Sequence, residues 1–206
     1  MINNTNLIFG GGKIAESISI INNAEIVYYR NEKDIKEYLK KFDKLNEVYI
    51  TSGYLKRIDF FNQTNEDIQH TIDANLIFPI MVAKLLEKFI KSGTKIIFIS
   101  SSSSFDTRSG YSIYASTKTA LEIFAKTLFN EGMQNNENYD IRIIRPARTD
   151  TKLRWNNLDK NNSSNWENLL KPNEIALEIK EFLNTSYNYL YIYKNNEKII
   201  TEVKKW

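Results

Sequence analysis

The stretch Asn6-Leu-Ile-Phe-Gly-Gly-Gly-Lys-Ile-Ala-Glu-Ser-Ile-Ser-Ile-Ile21 decides the reading of this chain. An unbroken apolar run fits a strand buried on both faces, and the recurrence of Ile14, Ala15, Ile18 and Ile21 after three glycines fits a helix. Strand, glycine turn and helix in that order open the units from which parallel sheets are built. The alternation continues. Glu25–Tyr29, Glu47–Thr51, Lys95–Ile99 and Ile141–Ile144 read as strands, and a last one, Tyr189–Tyr193, turns at Asn195-Asn196. Helices are predicted over Glu32–Phe42, Asp67–Lys91, Ile113–Met133 and Pro172–Leu183, the last with proline at its start. Strands separated by helix-length segments imply right-handed crossovers, so the predicted fold is α/β, a doubly wound parallel sheet forming a single domain over residues 1–206.

Composition narrows the function classes. Cysteine is absent, which excludes disulfide scaffolds, thiolate catalysis and Cys-ligated metals, and no metal is expected. The 28 basic and 25 acidic residues are mixed along the chain, and a net charge of +3 without a basic stripe leaves no footprint for nucleic acid. No apolar run approaches the roughly 18–20 residues of a membrane helix. Met1–Thr5 are polar and uncharged, unlike a signal peptide. The expectation is a cytoplasmic protein with no membrane partner.

In such sheets a glycine turn beyond a strand end lets backbone N–H groups and a helix N-terminus approach a pyrophosphate. Gly10, Gly11 and Gly12 stand at that place, although a purely structural turn would use them too. The second strand ends Tyr28-Tyr29-Arg30, with no acid for an adenosine ribose; a guanidinium there suits the 2′-phosphate of NADP(H), which is expected ahead of NAD(H). The alternative is a solvated arginine beside Glu32 and Asp34. Tyr114 and Lys118, four apart, share a helix face, where an ammonium near a phenol favours phenolate and draws its pKa toward neutrality. That suits a group exchanging a proton with a carbonyl or an alcohol. A second such pair, Tyr29 with Lys33, lacks the hydroxyl-bearing strand end that places Ser101 upstream of Tyr114.

The block Ile96-Ile-Phe-Ile-Ser-Ser101 with Tyr114-Ala-Ser-Thr-Lys118 resembles the short-chain dehydrogenase/reductase family, over a span from the glycine turn to about Pro146. The resemblance implies a Rossmann-like sheet and an NAD(P)-dependent oxidoreductase acting on a small carbonyl compound. It implies that Ser101 hydrogen-bonds the substrate oxygen, that Tyr114 is the general acid/base, and that Lys118 binds the nicotinamide ribose while tuning Tyr114. Asn75, in Asp73-Ala-Asn-Leu-Ile77, would support a proton-relay water. The serine run leaves Ser102 as a rival to Ser101. Three features depart from the family pattern. The turn is compressed to Gly10-Gly-Gly-Lys13-Ile14. Between Arg30 and Glu47 there is room for one helix only, so the nucleotide-binding half is shortened by a strand–helix unit and lacks the acid that commonly holds adenine. The usual Asn-Ala-Gly is Thr51-Ser52-Gly53, with Gly53 kept as a cofactor contact. An NAD-linked alcohol dehydrogenase of the same fold and a non-catalytic nucleotide-binding descendant are the alternatives.

Substrate choice in the family falls after Pro146, where Arg145-Pro-Ala-Arg-Thr-Asp-Thr-Lys-Leu-Arg154 carries four cations in ten residues. They suit a phosphate or carboxylate, with Arg148 and Arg154 as candidate contacts. Arg148-Thr-Asp-Thr151, Arg154 and Leu169-Leu170 are loosely similar to reductase modules of ribitol-phosphate synthesis for bacterial surface polysaccharides, which implies reduction of ribulose 5-phosphate to ribitol 5-phosphate. His70 reads as a surface residue and Asn156–Asn165 as a mobile loop. The apolar positions Ile77, Ile80, Met81, Ala120, Ile123, Phe124 and Leu128 exceed what one sheet face needs, and with the resemblance imply a homodimer or homotetramer through the two long helices.

Overall fold

The glycine turn joins a strand to a helix in the structure, a computed structural model describing residues 5–90, 93–135, 139–157 and 168–206. Strand β1 (Thr5–Phe9) passes through Gly10–Gly12 into α1 (Lys13–Asn22), and β2 (Ala24–Val27), α2 (Glu32–Leu39) and β3 (Leu45–Ile50) follow. α3 (Asn65–Ile72), a π-helical turn (Asp73–Ile77) and α4 (Phe78–Leu85) lead to β4 (Lys95–Ile99), and α5 (Ser112–Gln134) to β5 (Asp140–Pro146). After α6 (Lys152–Trp155) and α7 (Pro172–Phe182), β6 (Tyr189–Asn195) and β7 (Lys198–Lys204) close the sheet.

The strands form one sheet in the order β2-β1-β3-β4-β5-β6-β7. β1 pairs in parallel with both β2 and β3, so the chain runs outward to the sheet edge and then reverses across β1. Ligands in such sheets bind where the strand order reverses, beyond the strand ends, and here that place is Gly10 and Thr51. With β2 at the edge and α2 returning directly to β3, the nucleotide half is one strand–helix unit short, as the spacing between Arg30 and Glu47 predicts.

Strand residues alternate between two cores. Leu7, Phe9, Val48, Ile50, Ile96, Phe98, Ile141 and Ile143 pack with Ile35, Leu39, Val82, Leu121 and Ala125 of α2, α4 and α5. Ile8, Tyr49, Ile97, Ile99, Ile144 and Leu190 pack with Ala15, Ile18, Ile175, Ala176 and Ile179 of α1 and α7.

Three expectations need correction. The sheet is not wholly parallel: Asn196 and Glu197, both at positive φ, make a tight hairpin that turns β7 back antiparallel onto β6. The helix expected over Asp67–Lys91 ends at Leu85 and is broken at Asp73–Ile77 (Lys91 lies outside the described residues), because Pro79 has no N–H to give the Asn75 carbonyl one turn back. Of the loop expected at Asn156–Asn165, positions 158–165 lie outside the described residues, while Asn157 is tied down, its amide donating to the Leu55 and Leu153 carbonyls at 2.8 Å each.

Candidate functional site

Local backbone shapes the nucleotide side. Gly10 has φ +150°, and a Cβ there would lie 2.1 Å from Thr51 Oγ1 and 2.7 Å from the Ser52 nitrogen, so only glycine lets β1 pass the end of β3. Gly12 caps α1 at φ +85°, and a Cβ on it would meet nothing within 4 Å, which leaves open space at the helix N-terminus. Arg30 reaches back over this turn. Its guanidinium donates to the carbonyls of Gly10, Tyr29 and Val27 at 3.3, 3.2 and 3.4 Å and lies 5.5 Å from the centre of the Phe78 ring. Thr51 Oγ1 and Ser52 Oγ are buried without a partner among the described residues. Open cradle, neighbouring guanidinium and spare hydroxyls together fit a dinucleotide phosphate. A cleft of ≈ 990 Å³ runs from this turn past Gly53 and Thr151 to Tyr114 and Lys118.

At the far end of the cleft side chains interlock. Asn75 is fully buried in the π-helical turn; its Oδ1 accepts from the Tyr54 N–H at 2.8 Å, and its Nδ2 donates to the Tyr54 carbonyl at 2.9 Å and to Thr117 Oγ1 at 3.2 Å. It thereby pins the loop after β3 onto α5. Lys118 Nζ donates to the Ile99 carbonyl at 3.0 Å and the Ser52 carbonyl at 3.5 Å, bridging the tips of β4 and β3. Gly53 lies between these groups: a Cβ there would come 3.5 Å from Asn75 Oδ1 and 3.7 Å from Lys118 Nζ.

Ser101 and Ser102 both line the pocket beside Tyr114, Ser102 buried at the start of a short 3-10 turn (Ser102–Ser104), and a side-chain hydrogen bond from Ser101 acts on the Tyr114 phenol. The electrostatics differ from expectation. Burial pushes the Tyr114 phenol up, with a hydrogen bond from Ser101 opposing. The ammonium is turned to backbone carbonyls, 5.9 Å from the Tyr114 ring centre. Burial instead draws Lys118 itself down to about 8, against the pull of Glu122.

The cation cluster after Pro146 divides. Arg148 and Arg154 line a pocket of ≈ 100 Å³ with Ser101, Tyr111 and Tyr114, and Lys152 lines the larger cleft. Arg145 is not on the substrate side; it pairs with Glu122. Burial lowers the Arg154 pKa, and Arg148, Arg108 and Arg57 push it the same way. Arg57 and Arg108 were not visible as candidates, since they sit in loops far from 145–154 in sequence. His70, exposed on α3, stacks on Tyr54 with ring centres 4.1 Å apart at the cleft wall. Among the described residues no group of His, Asp and Glu is placed to hold a metal, and no helix is long and apolar enough to cross a membrane.

Several solved structures share this architecture at low sequence identity. A short chain dehydrogenase from Burkholderia cenocepacia in complex with NADP matches with TM-score 0.76 and 15% identity, covering 91% of this chain and 95% of the other. An alcohol dehydrogenase from the archaeon Thermococcus sibiricus, complexed with 5-hydroxy-NADP, matches at 0.74 and 17%, covering 95% and 98%. A short chain dehydrogenase family protein from Francisella tularensis matches at 0.71 and 20%, covering 90% and 92%. No curated protein sequence matches significantly. A sequence model of the short chain dehydrogenases matches residues 27–162, beginning after the compressed glycine turn and taking in α3, α4 and α5. With more than half of its length so matched, the chain belongs to the short chain dehydrogenase family and is an oxidoreductase of that family.

Proposed function

We propose that this protein, residues 1–206 acting as one domain, is an NADP(H)-dependent reductase of a small phosphorylated carbonyl compound, with ribulose 5-phosphate reduced to ribitol 5-phosphate as the leading substrate. The observation that carries it is the contiguity of one cleft: Gly10–Gly12 and Arg30 stand at one end and Tyr114 and Lys118 at the other, with Ser101 in the small pocket that shares Tyr114. NADP-bound relatives of the same fold support the cofactor, and Arg30 beside the glycine turn supports the 2′-phosphate. When bound, the reduced nicotinamide supplies hydride to the carbonyl carbon.

The chain's own residues supply the rest. The Ser101 hydroxyl hydrogen-bonds the substrate oxygen, and the Tyr114 phenol, kept protonated by burial, donates its proton to that oxygen as charge develops. The Lys118 ammonium holds the cofactor ribose, and Asn75 fixes the Tyr54 loop against the helix that bears Tyr114. Arg148 and Arg154 grip the substrate phosphate in the pocket beside Tyr114. Two copies associating through α4 and α5 would cover the exposed Ile123. NADPH consumption with ribulose 5-phosphate tests the reading, with the unphosphorylated ketose as control. Turnover of the phosphorylated ketose alone is expected; equal rates on both would remove the phosphate assignment.

A further inference from the structure

Glu122 is a buried carboxylate that the mechanism above leaves unused. It lies one helical turn beyond Lys118 on α5, with relative exposure of 8%. Arg145 of β5 donates to it through Nε at 2.7 Å and also through Nη2, and Ser100 Oγ donates to its Oε1 at 2.5 Å. The Arg145 guanidinium is flanked by the rings of Tyr189 and Phe105, 4.2 and 4.8 Å from their centres. Ser100 sits between two residues that matter to the site. The Ile99 carbonyl before it receives the Lys118 ammonium, and the Ser101 side chain after it bonds Tyr114. One carboxylate thus holds the peptide segment on which both contacts depend.

We propose that Glu122 is a positioning residue: through Ser100 it fixes Ile99–Ser101 against α5 and so holds the Ile99 carbonyl at the Lys118 ammonium. The proposal rests on the reading that Tyr114 and Lys118 carry the chemistry. A pair that only holds the fold together would be replaceable, since apolar residues of similar volume often substitute for a buried ion pair without loss of stability. Burial already draws Lys118 down to about 8 with Glu122 opposing it, so loss of the carboxylate would draw it lower. The other charged or titratable groups around it are Tyr114 on α5, Arg145 behind Glu122, Tyr54, His70 and Asp73 across the cleft, Lys13 and Glu16 on α1, Lys152 on α6, and Arg30.

Two variants test this, Glu122→Gln and the paired Glu122→Leu/Arg145→Met. The Lys118 titration midpoint is read in the ligand-free protein by NMR of lysine labelled at Cε, the signal being assigned by its loss in Lys118→Ala. The pH dependence of NADPH-linked ribulose 5-phosphate reduction and the Tm are read alongside. The midpoint is expected to fall by about one pH unit in both variants, and kcat/KM at neutral pH about tenfold, one pKa unit being a factor of ten. The paired variant should keep the wild-type Tm while both of those changes persist. A paired variant with wild-type Tm, an unmoved lysine midpoint and wild-type kcat/KM would overturn the proposal. Full activity in Tyr114→Phe would instead overturn the acid/base reading beneath it, and the lysine midpoint, measured without substrate, would still judge the effect of Glu122.

Discussion

At the β4–β5 end of the sheet the site is held by side chains, while at the β1–β3 end it is held by backbone. Asn75 bonds the Tyr54 backbone and the Thr117 hydroxyl, Thr117 bonds the Tyr114 carbonyl, and Lys118 bonds the Ile99 and Ser52 carbonyls, so side chains tie the loop after β3, the tip of β4 and α5 together. The nucleotide end offers a glycine turn, the open N-terminus of α1 and an arginine resting on carbonyls, with one strand–helix unit missing beside it. The contrast teaches that the chemical half of such a sheet can stay intact while the binding half contracts, because the two are built on opposite sides of the strand reversal. Affinity and turnover should therefore respond to different residues.

The largest effect should come from Lys118→Ala, which removes the cation bridging the β3 and β4 tips; kcat/KM should fall about 100- to 10,000-fold, the range for loss of a group serving proton transfer. An equal loss from Gly10→Ala in kcat at saturating NADPH would break the separation of the two halves. In the pocket beside Tyr114, Arg148→Ala and Arg154→Ala should each raise KM for a phosphorylated ketose about ten- to hundredfold, from about 1.5–3 kcal/mol per charge-assisted contact, and leave NADPH affinity nearly unchanged. Titration of each variant with both ligands checks this.

Smaller changes are expected at the binding end. Arg30→Ala should weaken NADPH by about 1.5–3 kcal/mol relative to NADH, as measured by fluorescence titration; equal loss for both would make Arg30 a clip for the Gly10 and Val27 carbonyls alone. Gly10→Ala should cost about 1–3 kcal/mol of stability by denaturant melt, because its Cβ would meet Thr51 at 2.1 Å. The mildest dependence is on pH. Lys118 is depressed to about 8, so its ammonium is present below that value and lost above it, whereas Tyr114, raised by burial, keeps its proton throughout. The kcat/KM for reduction should be level on the acid side of pH 8 and decline above it, by at most about tenfold per pH unit.

Most of the architecture was legible because buried strands and amphipathic helices write their periods into the sequence: Leu7–Phe9, Ile96–Ile99 and the helix of Tyr114 fall where expected. The final antiparallel strand was missed because Lys198–Lys204 is an exposed edge whose register comes from the Asn196-Glu197 turn rather than from burial. Pro79 carried a local signal for the break at Asn75, but the strong apolar period around it read as one helix. The register within Ser100–Ser104 is not written in the sequence, since it depends on how β4 and α5 lie side by side. Arg57, Arg108 and Glu122 lay beyond sequence reasoning for a related reason, since Arg154, which Arg57 and Arg108 approach, and Arg145 and Ser100, which Glu122 bonds, are tens of residues away in the chain.

The account stands most directly on Tyr114. NADPH consumption with ribulose 5-phosphate should be compared in the wild-type protein and Tyr114→Phe, with NADPH binding measured in both by fluorescence. The account predicts turnover in the wild type, a loss of at least about 100-fold in the variant, and NADPH affinity unchanged because only a hydroxyl is removed. Equal rates in the two proteins would contradict it.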